Sequence, residues 1–353
     1  MRLRNAVLAV VFLLPGCRPA PPGAPVPARS VAAVGDTLPA LPAADRVRLA
    51  EAFRLAAAVG DRIWAGWAEA PFGVLLVTPE REFLVRHPRP AADFARVGYD
   101  SVLAADVYVR RRVFPPGLEA TMPAVGGVPT VVIGQPAASG RTSTRWVLTV
   151  LHEHFHQLQY SRPDYYPGVA ALGLARGDST GMWMLNYAFP YDSAAVQARF
   201  AALVRSLDAA LTPPPVAEGG MPTGDPRVRA VTAAPAQLRA ALSGEDDRYF
   251  AFQMWQEGVA RYTESQVARL AAAPPYAPTA AFRALPDYTE YAAAAAAIEQ
   301  SIRTSLRGPD LGRVRRVAFY PAGAATALVL DAAAPGWRAR YFAQNFSLEP
   351  LLP

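Results

Sequence analysis

The stretch Trp146-Val147-Leu148-Thr149-Val150-Leu151-His152-Glu153-His154-Phe155-His156-Gln157-Leu158 sets the reading of the whole chain. Val147, Leu151, Phe155 and Leu158 recur at three- and four-residue steps, and no Pro, Gly or basic residue interrupts them, so the spacing predicts a helix with one buried stripe. Three of the chain's 4 histidines fall inside it. On a helix, His152 and His156 stand one turn apart on the same face, where both imidazoles can reach one zinc ion. Glu153 leans over the same position and can take a proton from a water there. His154 lies two positions from each of them, on the far side, and is expected to pack in the core or orient a neighbour. A pairing of His152 with His154 would suit a strand, where alternate residues share a face, and the helical flanks oppose it.

Two histidines do not complete a catalytic zinc site, which normally takes three protein ligands and keeps a further position for water. With Cys17 as the only cysteine, the third ligand must be His, Asp or Glu. Glu257 is the leading candidate, in Phe252-Gln253-Met254-Trp255-Gln256-Glu257-Gly258-Val259-Ala260-Arg261-Tyr262-Thr263-Glu264. This segment belongs to a helix expected to start at the N-cap Ser243 and end before Pro274-Pro275. Glycine inside a helix costs about 1 kcal/mol relative to alanine, so Gly258 beside Glu257, with Ala260, implies close packing against another helix. Glu264, two turns further along, is the alternative ligand. Arg261 could orient Glu257, bind a substrate carboxylate, or form a plain surface pair.

Working outward, residues 45–68 carry a buried helical stripe through Val47, Leu49, Phe53, Leu55, Ala58, Ile63 and Trp64. Phe72 to Thr78 and Glu82 to Arg86 flank Pro79-Glu80-Arg81 and read as a hairpin. Further strand-like runs are Asp106 to Phe114 and Pro129 to Ile133, and beyond Gln135 the chain reads as helical apart from a Pro/Gly-rich break at 212–226. Strands followed by helices predict an α+β fold, with a sheet-containing half at 43–140 and a helical half at 141–353.

Of 353 residues, 52% are hydrophobic and 18% charged, which excludes a disordered polyelectrolyte. The net charge of +6 is carried entirely by arginine, since the chain has no lysine. These arginines are scattered among acids, and the run Arg110 to Arg112 reads as a solvated face, so no nucleic-acid partner is expected. At the N-terminus, Arg2 and Arg4, the apolar run Ala6 to Leu14 and then Leu14-Pro15-Gly16-Cys17 have the layout of a secretory signal, with an apolar run too short to span a bilayer. The lone cysteine at its end resembles a bacterial lipoprotein signal, which implies residues 1–17 as signal peptide, a lipid anchor on Cys17 and export to the cell envelope. An ordinary secretory signal is the alternative. Residues 18–42, rich in Pro and Ala, would form an extended tether ahead of a domain at 43–353.

His152-Glu153-His154-Phe155-His156 together with Glu257-Gly258-Val259-Ala260-Arg261-Tyr262 resembles the gluzincin group of zinc metallopeptidases. That resemblance implies a zincin-like fold, an N-terminal mixed sheet followed by a helical half with the active-site helix between them. It implies Zn2+ held by His152, His156 and Glu257, with Glu153 as general base. The metzincin pattern, with a third histidine six residues past the second, is absent, since position 162 is Arg. The resemblance also places a substrate-binding edge strand at Gly126 to Ile133, where Pro129 suits an edge; an ordinary core hairpin strand is the alternative. A tyrosine that stabilises the oxyanion is implied too, with Tyr320 as candidate and Tyr262 and Tyr291 behind it. Trp183, Trp255 and Trp337 read as core and His87 as a loop residue. The chain is thus expected to be an exported zinc-dependent hydrolase that cleaves a peptide or protein substrate. The alternative is a lipid-anchored, non-catalytic binding protein on the same fold, against which the intact Glu153 argues.

Overall fold

The structure is a computed structural model that describes residues 38–212, 221–222 and 224–353. Cys17, the signal segment and the tether up to residue 37 lie outside the described residues. No helix among the described residues is long and apolar enough to cross a membrane.

The N-terminal half holds a six-stranded mixed sheet in the order β3-β4-β2-β1-β6-β5. Its strands are β1 (Val74–Val77), β2 (Arg81–Val85), β3 (Ala95–Asp100), β4 (Ala105–Arg111), β5 (Glu119–Val125) and β6 (Val128–Gly134). The pair β1–β6 is parallel and the other neighbours are antiparallel. Both faces of the central strands are covered, which is why Val74-Leu75-Leu76-Val77 is apolar without alternation. The expected hairpin is β1–β2, paired Val74 to Val85 through Val77 to Glu82.

The edge strand differs from the expectation. The segment Gly126 to Ile133 holds β6, which is interior, and the edge beside it is β5. Pro129 is tolerated there because pairing with β1 begins only at Val131, and on the other side the β5–β6 register shifts between Met122 and Val125. Its missing N–H therefore costs no ladder bond. The Gly134 N–H donates to the Leu118 carbonyl at 3.0 Å, which directs the backbone of 118, 120 and 122 toward β6. By alternation, Glu119 and Thr121 turn their N–H and C=O groups to the open edge, and Pro123, on the same side, has no N–H to offer.

The helical half follows from Gly134. The expected active-site helix spans Ser143–Tyr160, and the Thr142 side chain caps it by accepting from the Arg145 N–H. Arg48 donates to the Ser143 hydroxyl at 2.7 Å, and that hydroxyl donates to Asp287 at 2.6 Å, so the helix start is tied both to the Ala43–Ile63 helix and to the segment ahead of Tyr291–Arg307. At the other end of the turn from β6, the Trp146 indole donates to the Gly134 carbonyl at 2.7 Å. The helix packs against β5 and β6 on one side and against Ala43–Ile63 and Val259–Ala271 on the other.

The long helix capped by Ser243 runs as Gly244–Gln253, a π-helical turn at Met254–Gly258, and Val259–Ala271. Gly258 is as tightly packed as its helix position implied, but its partner is not the Ser143–Tyr160 helix. A Cβ there would lie 2.4 Å from the Gly323 Cα, in the helix Phe319–Ala333, and one on Gly323 would lie 2.6 Å from the Gly258 Cα. Two glycines facing each other let these backbones touch, and this fixes the depth at which the Glu257 turn sits.

Candidate metal centre

His152, Glu153 and His156 each offer one ligand-type atom within 4.8 Å of the others. All three are buried, as the helix face predicts. The second helix adds Glu257, whose Oε2 lies 3.4 Å from His156 Nε2 and 3.8 Å from His152 Nε2. Two carboxylates thus meet the imidazole pair, and their remaining contacts tell them apart. Glu153 Oε2 is 2.9 Å from the Thr121 hydroxyl of β5, which also lies 2.7 Å from the Glu153 carbonyl oxygen; its single proton serves one of them at a time. Glu257 faces both Nε2 atoms directly. Burial works against its charge and His156 works for it, with His152 and Arg316 adding to the same side, and the balance holds Glu257 well below the usual carboxylate range. Burial likewise lowers His156, but Glu257 outweighs it and lifts the imidazole to about 9.

The tautomer of His156 follows from a chain of hydrogen bonds. The Tyr341 hydroxyl donates to the Trp255 carbonyl at 2.7 Å, so its oxygen is left to accept from the Gln159 amide at 2.8 Å. The same amide donates to the Gln256 carbonyl at 3.2 Å. Gln159 Oε1 must therefore be the atom 2.6 Å from His156 Nδ1, and at that distance Nδ1 must carry the proton. The Gln256 amide, 3.1 Å from Nδ1 and 3.4 Å from the Tyr160 hydroxyl, then bonds to the tyrosine. What remains on Nε2 is the lone pair a metal needs, turned toward Glu257.

Glu264 lies on the other side of His152. Its Oε2 is 3.8 Å from His152 Nδ1, away from the Nε2 atoms, and Arg145 at 3.0 Å together with Arg261 holds it. Arg261 pairs with Glu264 rather than with Glu257, which corrects the expectation for that arginine. Tyr320 stacks over His152 with ring centroids 6.4 Å apart and planes at 6°. Its hydroxyl oxygen accepts from Arg316 at 2.7 Å, and Arg316 also stands 3.8 Å from Glu257 Oε1. Burial first, then Glu257, raise the Tyr320 phenol well above its usual range, so it keeps its proton. Tyr262 and Tyr291 are spent elsewhere, donating to Asp331 at 2.6 Å and to Glu51 at 3.4 Å. Trp183, Trp255 and Trp337 are buried in the core.

His154 stacks on Phe72 at 3.6 Å and on Trp67 at 5.4 Å, with Nδ1 2.9 Å from Gln157 Oε1. Burial pushes it down to about 3, so it is a neutral packing residue. His87 is a loop residue, buried, with Nδ1 accepting from the Arg89 N–H at 3.1 Å.

Two imidazole nitrogens and a carboxylate, with one tautomer fixed from behind, form a donor set suited to zinc and lack the thiolates of a structural zinc site. Thr121, Gln159, Gln256 and Arg316 were not singled out from the sequence. Gln159 had a signal, three residues past His156 on the same helix; the other three reach the site through the fold alone. Comparison with protein-family models, with curated proteins and with solved structures found no match.

Proposed function

We propose that this chain is a zinc-dependent hydrolase of zincin-like fold, a metallopeptidase, exported and held at the cell envelope by a lipid on Cys17. The observation that carries the reading is the approach of Glu257 to the Nε2 atoms of both His152 and His156, with Glu153 beside them. His152, His156 and Glu257 would hold the ion. Zinc there would supply a Lewis acid that polarises a carbonyl and makes a water acidic near neutral pH.

The protein's own groups supply the rest. Glu153, with Oε2 held by Thr121, takes the proton of the attacking water and returns it to the leaving amine. Tyr320, whose hydroxyl sits between Arg316 and Glu257, would turn its O–H to the oxygen on which negative charge develops. The outward N–H and C=O of Thr121 offer an extended peptide a strand partner at the sheet edge.

Metal analysis of the purified chain, followed by peptide-library cleavage with and without a chelator, tests this. The expected result is about one zinc per chain and cleavage that stops on chelation and returns with zinc. Zinc-free protein, or zinc-loaded protein that cleaves no peptide, would overturn it and leave the non-catalytic binding protein.

A further inference from the structure

A cavity of about 330 Å³ opens under the β5–β6 turn, walled by Pro71, Pro123, Val128 and Pro129 from the sheet side and by Tyr160 and Tyr166 from the end of the Ser143–Tyr160 helix and the residues after it. It continues the site. Tyr160 stacks on His156 with centroids 6.1 Å apart and planes at 19°. Pro123 lies two residues past Thr121 on the same face of β5, about 6.6 Å along the strand. Gln157, which also borders the cavity, lies one helical turn, about 6 Å, past Glu153. Strand and helix therefore give the same offset between the general base and the cavity, close to two residues of an extended peptide.

We propose that this cavity is the specificity pocket for one large apolar side chain of the substrate, aromatic or long aliphatic, on the amino-terminal side of the bond cleaved. The inference rests on the metallopeptidase reading. The occupant follows from the walls. Three prolines and a valine offer no side-chain donor or charge, the two tyrosines carry no charge, Ser161 spends its hydroxyl on the Leu158 carbonyl at 2.8 Å, and Gln157 has its amide committed to the Gly73 and Pro129 carbonyls at 3.0 Å each. A charged side chain would lose its hydration there without a partner. The volume sits at the lower end for small-molecule sites and exceeds what one phenylalanine side chain fills. The side of the scissile bond follows from the strand. A peptide pairing antiparallel to β5 runs past Pro123 before it reaches Thr121, so the residue that meets the cavity precedes the one at the general base. Alternation puts two residues spaced by two on the same face, and only one of them meets the cavity.

The test uses the zinc-loaded chain and a library of blocked peptides with cleavage sites read by mass spectrometry. One position on the amino-terminal side should be enriched in Phe, Leu or Met over Asp and Lys by roughly tenfold or more, the discrimination expected for burying one large apolar side chain. Tyr166→Glu, which places a carboxylate at an exposed rim position, and Val128→Trp, which fills the cavity, should each remove most of that preference by raising KM. In parallel, the Glu153→Gln chain should bind a blocked hexapeptide containing Phe roughly tenfold more tightly than its Asp counterpart, and Val128→Trp should abolish the difference. Cleavage without apolar preference, enrichment confined to the carboxyl side, or a preference that survives both substitutions would overturn the pocket. Absence of all chelator-sensitive cleavage overturns the peptidase reading instead, and the two hexapeptides then decide this inference: equal binding sinks it, and an apolar preference lost in Val128→Trp upholds it.

Discussion

The two imidazoles of one helix are backed in different ways. Behind His156 is a neutral network in which Gln159, Tyr341 and the Trp255 and Gln256 carbonyls each find a partner, ending 2.6 Å from Nδ1. Behind His152 is a charged one, where Glu264 stands 3.8 Å from Nδ1, already shared between Arg145 and Arg261, and Arg145 Nη1 is buried without a hydrogen-bond partner among the described residues. Amides at bonding distance dictate which nitrogen holds a proton. A carboxylate at longer range, tied to arginines, sets the local field and holds helices together. One side of the site thus fixes chemistry, and the other fixes structure.

Five substitutions probe that division, taken from the largest effect. Glu153→Gln touches neither backing; turnover should fall about 10²- to 10⁴-fold with zinc content unchanged. Zinc lost in step with activity would make Glu153 a ligand and redraw the site around the His152, Glu153 and His156 cluster. Glu257→Ala should weaken zinc binding by more than the roughly 10- to 100-fold that an outer partner contributes. Glu264→Ala, by contrast, should retain zinc and lose stability, by about 3 kcal/mol in chemical denaturation, because two partly exposed arginines lose a buried partner. Equal zinc loss in the two variants would erase the contrast.

Gln159→Leu should cost roughly 10- to 100-fold in zinc affinity, read by competition with a chromogenic chelator, with the fold retained. An unchanged affinity would mean that the tautomer needs no amide to hold it. Smallest is Gly258→Ala. Its helical backbone gains about 1 kcal/mol in propensity, but the new Cβ meets Gly323 backbone that cannot yield without moving a helix, so a net loss of about 1–2 kcal/mol is expected from thermal melts.

The sequence carried some of these features openly and hid others. The motif helix was legible because its apolar stripe and its histidines share one period, and the Ser243 cap and the β1–β2 hairpin were legible for similar local reasons. β5 was not. Glu119-Ala120-Thr121-Met122-Pro123-Ala124-Val125 lacks β-branched alternation and contains a proline, tolerated here because the strand lies at the edge and its register shifts. For the same reason Pro129 reads as an edge marker, although the absent ladder bond arises from where β1 starts. Glu257 was legible through its glycine, but by an indirect route. Gly258 answers to Gly323, some sixty residues away, and what it provides for the Ser143–Tyr160 helix is the height of the turn rather than a direct contact. Thr121 and Arg316 carry no local mark, since a hydroxyl or a guanidinium acquires its role here only from what the fold brings beside it.

The π-helical turn at Met254–Gly258 has a consequence for how this segment can vary in length. A π turn holds one residue more than the α-helical turn it replaces. Deleting one residue within it would leave Gly244–Gln253 and Val259–Ala271 free to join as an ordinary helix, hydrogen-bonded throughout, and because the wide turn had taken up the extra residue, the two flanks would keep nearly the same facing. Glu264, beyond the joint, would keep its place between Arg145 and Arg261, while the residues of the turn itself, Glu257 among them, would change their facing toward the imidazole pair. Point changes in this turn are absorbed one side chain at a time, whereas a one-residue deletion there moves the carboxylate at the centre and leaves the carboxylate behind it in place.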